Sequence, residues 1–515
     1  MHNISLRIAV ASASLLLSLP SQTGNEIIFV GSSTSGSTDQ HALVESVTGS
    51  ILAEAPSPHT DNVSGAVWAD RGRSLYVGQS LMNRVAVADW NGTTATWSTL
   101  YQSNGACYGV QFDSGRNRLW TLTGSSSNSR ELTCLDADIT SPSYGSYLTQ
   151  TNSLSGATIE RWCLSTSGNL ACVPKAIISG NAFTLVDLDP RSTNYLNVIT
   201  STSIPGTANA GFSFTMSCKI SLDDAYVYVL WAGIGTSSGL AVWDIAAQAW
   251  LDFDLMIGHQ DVPLTLGAPN SLDLSLDRTF AVVSGQGGSG WAGRIDFDYA
   301  NPSNTTFTQW TTLTAPNCDG ISLSPDNTRV AMTSTATFLS TPSKLIIADA
   351  SSGVQLQSTT LNTMWNVYTT AWQDASPIAD YTSFGAGCTG SAGTPLLTAA
   401  PGSRPAIGST FDAEVSNLPL GAALMATGLS NTFTSNNLPL PLNLSILGMT
   451  GCNQYVDALV LNYIAGTTSA TWSWSIPNTP GLFGAKFYNQ AFSIDPTANS
   501  FGFAASNAAA GTIGF

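Results

Sequence analysis

The chain has 515 residues, of which 10% are charged and 46 are glycine, and it carries a net charge of −16. That length allows more than one buried core, and the small, turn-forming composition suits β-structure. The acidic balance argues against nucleic acid or an anionic membrane surface as partner, because both attract a basic face.

Residues 1–24 read as a secretory signal: Arg7 opens it, Ile8 to Leu19 is an apolar run, and Pro20-Ser21-Gln22-Thr23-Gly24 offers an exit. The run is too short to span a bilayer as a mature helix, and no later stretch is apolar enough to do so. No cysteine follows it, so a lipid-anchored start is not expected. Export would place the mature chain outside the cell or on its surface and make the eight cysteines disulfide candidates.

Ile27 to Ser33, Ala42 to Gly49 and Ser50 to Ala55 then read as three strands of a four-stranded unit that lacks its first. The next unit is complete: Gly65 to Ala69, a turn at Asp70 to Arg73, SLYVGQ, Arg84 to Trp90 and ATWSTLY. Further units begin at Tyr108, at TIERWCLS, at MSCKIS, at SLDLSL and at Cys318. The last of these is the clearest, with ISLS and RVAMT flanking Pro325-Asp326-Asn327-Thr328, where proline presets φ and Asp and Asn bond their own backbone. After it, Asn366 to Gln373 is a first strand with no unit following. Joining this orphan to the incomplete N-terminal unit predicts a closed ring of about seven blades, with a spacing of about forty-five to fifty-five residues. The predicted fold is therefore all-β: a seven-bladed β-propeller over 25–374 with a split closing blade, a linker over 375–392, and a C-terminal β-sandwich over 393–515.

The hairpin SPDNTRVAM, followed by a strand of the IIAD type ending in Asp and then Ser/Thr-Gly, resembles the YVTN-type repeats of bacterial surface proteins and lactonase-like propellers. The matching acids are Asp89, Asp136, Asp187, Asp244, Asp296 and Asp349, with Glu45 in the split blade, and turn capping is the structural role expected of them. The phrases FGAGCTGSAGTP, GMTGC, WSWSIPNTPGLFG and FAASNAAAGTIGF resemble a C-terminal module of secreted planctomycete proteins, which implies extracellular residence and no particular reaction. Propellers host many activities, so the resemblance bears on fold more than on function.

Cys163 and Cys172 flank Ser167-Gly168 symmetrically and would face each other across a hairpin, as a cross-strand disulfide if the geometry suits. Cys388 and Cys452 are the two cysteines of the C-terminal part and its expected staple. The pairing of Cys107, Cys134, Cys218 and Cys318 stays open. None has C-x-x-C spacing, so no metal site and no cofactor is expected.

Candidate binding residues lie where loops enter each blade. His59, Asp61, His259 and Asp261 form two His-x-Asp pairs that suit a metal ligand or an oriented base, or bond loop backbone. Glu160 and Arg161 open a first strand and would face the channel or form an edge ion pair. Trp291, in a Gly-rich loop, and Trp365 could stack on sugar rings, or pack in the core or at the rim, which is the favoured reading. The glycines around Trp291 have no helix behind them, so a phosphate cradle is not expected. No H-E-x-x-H pattern occurs. The sequence thus favours a non-catalytic binding or scaffold role toward a glycan, peptide or cell-envelope component, with an extracellular lactonase-like or other hydrolase as the alternative.

Overall fold

The computed structural model describes residues 26–514 except 33–39, 57–62, 70–73, 81, 91–93, 115, 127–128, 155–160, 178–179, 205–212, 234–237, 252–260, 265–268, 286–289, 311–317, 335–342, 362–363, 365–366, 374–378, 478–481 and 483. Short alternating strands joined by tight turns build nearly all of it. The hairpin turns share one device. In Ser324–Asn327 the Asn327 amide donates to the Ser324 carbonyl at 2.8 Å, and Asp326 accepts from the Thr328 amide at 3.0 Å. The fourth turn position is left-handed here and in its counterparts, with φ of 60° at Asn327, 55° at Asp224, 55° at Arg278 and 71° at Gly168.

Among the described residues, seven antiparallel sheets precede residue 374; six have four strands and one has five. Their innermost strands are Val63–Ala69, Ala106–Asp113, Cys163–Leu164, Ser213–Ile220, Pro269–Leu274, Cys318–Leu323 and Val367–Trp372. Each packs against the next, and the last packs against the first, so the sheets form a β-propeller. The closing sheet takes its inner strand from the far end of the chain: Val367–Trp372 pairs with Ile27–Ser32, with Phe29 opposite Ala371. A separate apolar core fills each gap between neighbouring sheets. The gap between the closing and first sheets, for example, holds Phe29, Leu43, Trp68, Leu75 and Trp90.

Two outer strands, Tyr147–Gln150 and Val198–Ser203, escape sequence reading because their residues are polar or exposed and show little alternation. The segment expected to be a linker contains the strand Asp380–Phe384, which pairs with Phe503–Thr512. That strand edges a five-stranded sheet completed by Lys486–Ile494, Ala422–Gly428 and Val460–Ala465. A three-stranded sheet of Leu396–Ala399, Thr410–Ser416 and Ala470–Ser475 shares its core, which includes Phe411, Met425, Trp472 and Phe487. Cys388 and Cys452 are joined as expected, beside Leu444 and Met449. Leu222, from a hairpin turn of the fourth sheet, packs against the C-terminal core, and Arg404 donates to the Ser114 carbonyl at 2.9 Å. No helix among the described residues is long and apolar enough to cross a membrane.

Candidate functional site

The inner strands enclose a channel, and six of them carry a β-bulge at the same level. Register shifts fall between Val63 and Gly65, Tyr108 and Val110, Thr215 and Ser217, Pro269 and Ser271, Cys318 and Ile321, and Val367 and Thr369. A bulge lets the skipped residue turn out of the ladder. Here that residue faces its neighbours around the ring: Ser64 Oγ accepts from the Gly109 amide at 3.1 Å, and Asn270 Nδ2 donates to Asp319 Oδ1 at 2.6 Å. The strands are crowded at this level. A Cβ on Gly65 would lie 2.7 Å from the Gly109 Cα, so only glycine fits.

The cavity at the bulges has a volume of about 180 Å³ and takes lining residues from all seven inner strands or their first residues. It opens into a wider space of about 410 Å³ on the side of the hairpin turns, shared through Gln111, Lys219, Asp273, Ser322 and Thr370. Glycine and hydroxyl residues share its walls with apolar side chains such as Val110, Leu272 and Ile321, and three ionised groups stand among them. Arg161 reaches across to donate to the Asn270 carbonyl at 2.8 Å. Lys219 pairs with Asp273 at 2.8 Å, while the other Asp273 oxygen accepts from the Leu323 amide at 2.8 Å. Crowding by the ring disfavours the Lys219 ammonium, but the adjacent Asp273 carboxylate outweighs it and the pKa is raised.

The expected site residues fare unevenly. Arg161 does face the channel. His59, Asp61, Glu160, His259 and Trp365 lie outside the described residues. Asp261 was expected in a loop; it starts the three-residue strand Asp261–Pro263 on the outer side of the fourth sheet, opposite Ala241 and away from the inner strand. Of the two roles open to Trp291, stacking or packing, the structure shows packing: it opens the strand Trp291–Asp296, is 5% exposed and meets Phe307 edge-on at 6.0 Å. Its indole lies over Gly285, where a Cβ would come within 2.5 Å of the ring, so core packing decides this position. Cys163 and Cys172 are opposed in register as expected, but both are thiols, and a third sulfur, Cys218, sits 3.3 Å from Cys163.

Lys219, Asp273, Asn270 and Asp319 were not singled out from sequence. A readable signal did exist. MSCKIS and SLDLSL place a lone charge inside an apolar first strand, in a chain with only 17 Lys and Arg.

Most of the strand-end acids whose turns are described behave as turn caps; the turn after Asp89 lies outside the described residues. Glu45 accepts from the Val47 amide at 3.1 Å, Asp187 from Asp189 at 2.9 Å, and Asp349 from Ser351 at 3.1 Å. Hydroxyl and amide donors from Ser351 and Ser352 hold the Asp349 carboxyl down at about 2. Asp296 differs: it pairs with Arg294 at 2.7 Å, and Asp298 caps that turn through the Asn301 amide at 2.9 Å.

No family model matches the chain, and no curated protein matches it. Solved structures resemble it in fold alone. A periplasmic gluconolactonase of Pseudomonas aeruginosa is 15% identical with a TM-score of 0.49, over 67% of this chain and 98% of its own. A functionally unknown protein of Desulfotomaculum acetoxidans is 10% identical with a TM-score of 0.49, over 67% and 98%. The hydrazine synthase of Kuenenia stuttgartiensis is 12% identical with a TM-score of 0.46, over 63% and 95%.

Proposed function

We propose that this is a secreted or cell-surface protein in which a seven-bladed β-propeller with a split closing blade binds a ligand in its channel, and in which a C-terminal β-sandwich flanks the channel mouth. Seven consecutive sheets, with a core between each pair, support the blade number. The Cys388–Cys452 disulfide and the signal-like N-terminus support an oxidising, extracytoplasmic location. A cleft of about 500 Å³ between the two parts shares Ser114 and Thr166 with the channel mouth, which supports a flanking role for the sandwich.

The observation that carries the binding role is the state of the channel's charges. Lys219 is committed to Asp273, Asn270 to Asp319, and Arg161 to a backbone carbonyl, while the remaining wall offers six serine and threonine hydroxyls and the Gln111 amide among apolar side chains. Such a wall suits hydrogen bonding to a neutral, polyhydroxylated ligand of the glycan class better than proton transfer, and better than a charged peptide. The second reading, a hydrolase of the lactonase-like kind, is favoured by one feature, the Lys219–Asp273 pair that reaches the channel.

One experiment separates them. The mature protein and a Ser322→Trp variant that fills the channel are tested on a glycan array and against a panel of sugar lactones. Glycan binding lost in the variant, with no lactone turnover, is the expected outcome. Turnover that falls in Asp273→Asn would replace binding with catalysis.

A further inference from the structure

Three sulfurs converge where the third and fourth sheets meet. Cys163 lies on the inner strand of the third sheet, Cys172 on its neighbour, and Cys218 on the inner strand of the fourth. All three sulfurs lie within 4.8 Å of one another, and this is the one such grouping of metal-ligating side chains among the described residues. The residues are 4%, 0% and 1% exposed, so they form a built pocket and not a surface coincidence. Cys388 and Cys452 are bonded in the same structure, whereas these three remain thiols.

Zinc–thiolate bonds of about 2.3 Å separate sulfurs sharing one ion by about 3.8 to 4.0 Å. The Cys163–Cys218 separation of 3.3 Å and the 4.8 Å limit bracket that spacing, so small side-chain shifts suffice. Cys163 and Cys218 also line the channel cavity, which gives an entry path and leaves a position for a fourth ligand from solvent.

Charge supports the same reading. Three thiolates around a divalent ion carry one net negative charge, and the Lys219 ammonium follows Cys218 in sequence on the channel wall.

We propose that Cys163, Cys172 and Cys218 bind one soft divalent metal ion, of the zinc and cadmium class, in the wall of the channel. On binding, three S–H bonds break, three protons pass to solvent, and three metal–sulfur bonds form, with no change of oxidation state. The proposal stands apart from the identity of the channel's organic ligand.

The test is a cadmium titration of the full chain under reducing conditions, followed by the ultraviolet thiolate-to-metal charge-transfer band. The expected result is a band saturating at one cadmium per chain, with affinity reduced roughly tenfold or more in Cys218→Ser and in Cys172→Ser. Cys107→Ser, a buried thiol elsewhere, should titrate like the parent. No band, or equal affinity in Cys218→Ser, overturns the proposal. Should that variant fail to fold, alkylation of the parent chain with and without cadmium, read by peptide mass spectrometry, decides: protection of Cys163, Cys172 and Cys218 supports the site, and protection confined to Cys107, Cys134 or Cys318 overturns it.

Discussion

His41, 3% exposed, packs against Phe29 at 6.3 Å and Trp97 at 4.8 Å, and burial pulls its imidazole down to about 4. The folded ring is neutral at pH 7, while the unfolded chain takes up a proton below about pH 6.5. Its contribution is therefore complete above about pH 6.5 and declines until the folded ring also protonates near pH 4, a loss of roughly 3 kcal/mol. Asp349 acts in a lower window: its depressed carboxyl supports folding above its usual pKa of 3.8, and that support disappears as pH falls through about 2. Proton NMR should find His41 titrating near pH 4, and His41→Phe should flatten the stability profile between pH 6.5 and 4 while leaving the acid limb below it. A His41 titration near 6.5 would contradict this assignment. At this scale the capping acids were legible, because an Asp before Ser-Ser-Gly declares its turn. Asp296 was not, since Arg294, two residues earlier on the same strand face, competes for it.

At the scale of the element, a tryptophan on the inner strand ties one sheet to the next. Trp372 Nε1 donates to the Ser322 carbonyl at 2.9 Å, Trp162 to Tyr108 at 3.0 Å, and Trp68 to Ala371 at 3.2 Å, each time to the preceding sheet. Trp372→Phe keeps most of the apolar area but leaves that carbonyl without its donor, so thermal unfolding should report a loss of about 1–2 kcal/mol. An unchanged Tm would show that the bond is not part of the staple. The strands behind these contacts were readable where one face is buried, as in Arg329–Ser334. Outer strands and the channel wall were harder. Tyr147–Gln150 has little to bury, and the Lys219–Asp273 pair joins two units 54 positions apart in a way that only the ring's closure brings about.

For the whole molecule, closure depends on the strand Val367–Trp372, which supplies Trp372 to one inter-sheet core and Ala371 to the next. A chain ending after Leu361 should lose cooperative unfolding and expose apolar surface to dye. A chain ending after Gln373 should keep the ring, losing the cover that the C-terminal module gives to Leu222 and the Arg404 bond to Ser114. If both truncated chains unfold alike, the ring does not stand without that module. The circular order was legible because both ends of the repeat looked incomplete; the extent of the second part was not, because Asp380–Phe384 is too polar to declare itself a strand.

The bond from Trp68 to Ala371 joins residues 303 positions apart, which has a consequence for assembly in time. The first strand among the described residues, Ile27–Ser32, must wait with an unpaired edge until six sheets have been synthesised behind it. Contacts so distant in sequence form slowly. During that wait the edge is open to Val367–Trp372 of a nearby copy as well as of its own chain, and two chains that exchange this strand would satisfy every ladder bond of the closed ring. Refolding at high protein concentration should therefore yield strand-exchanged dimers that return to monomer only through unfolding.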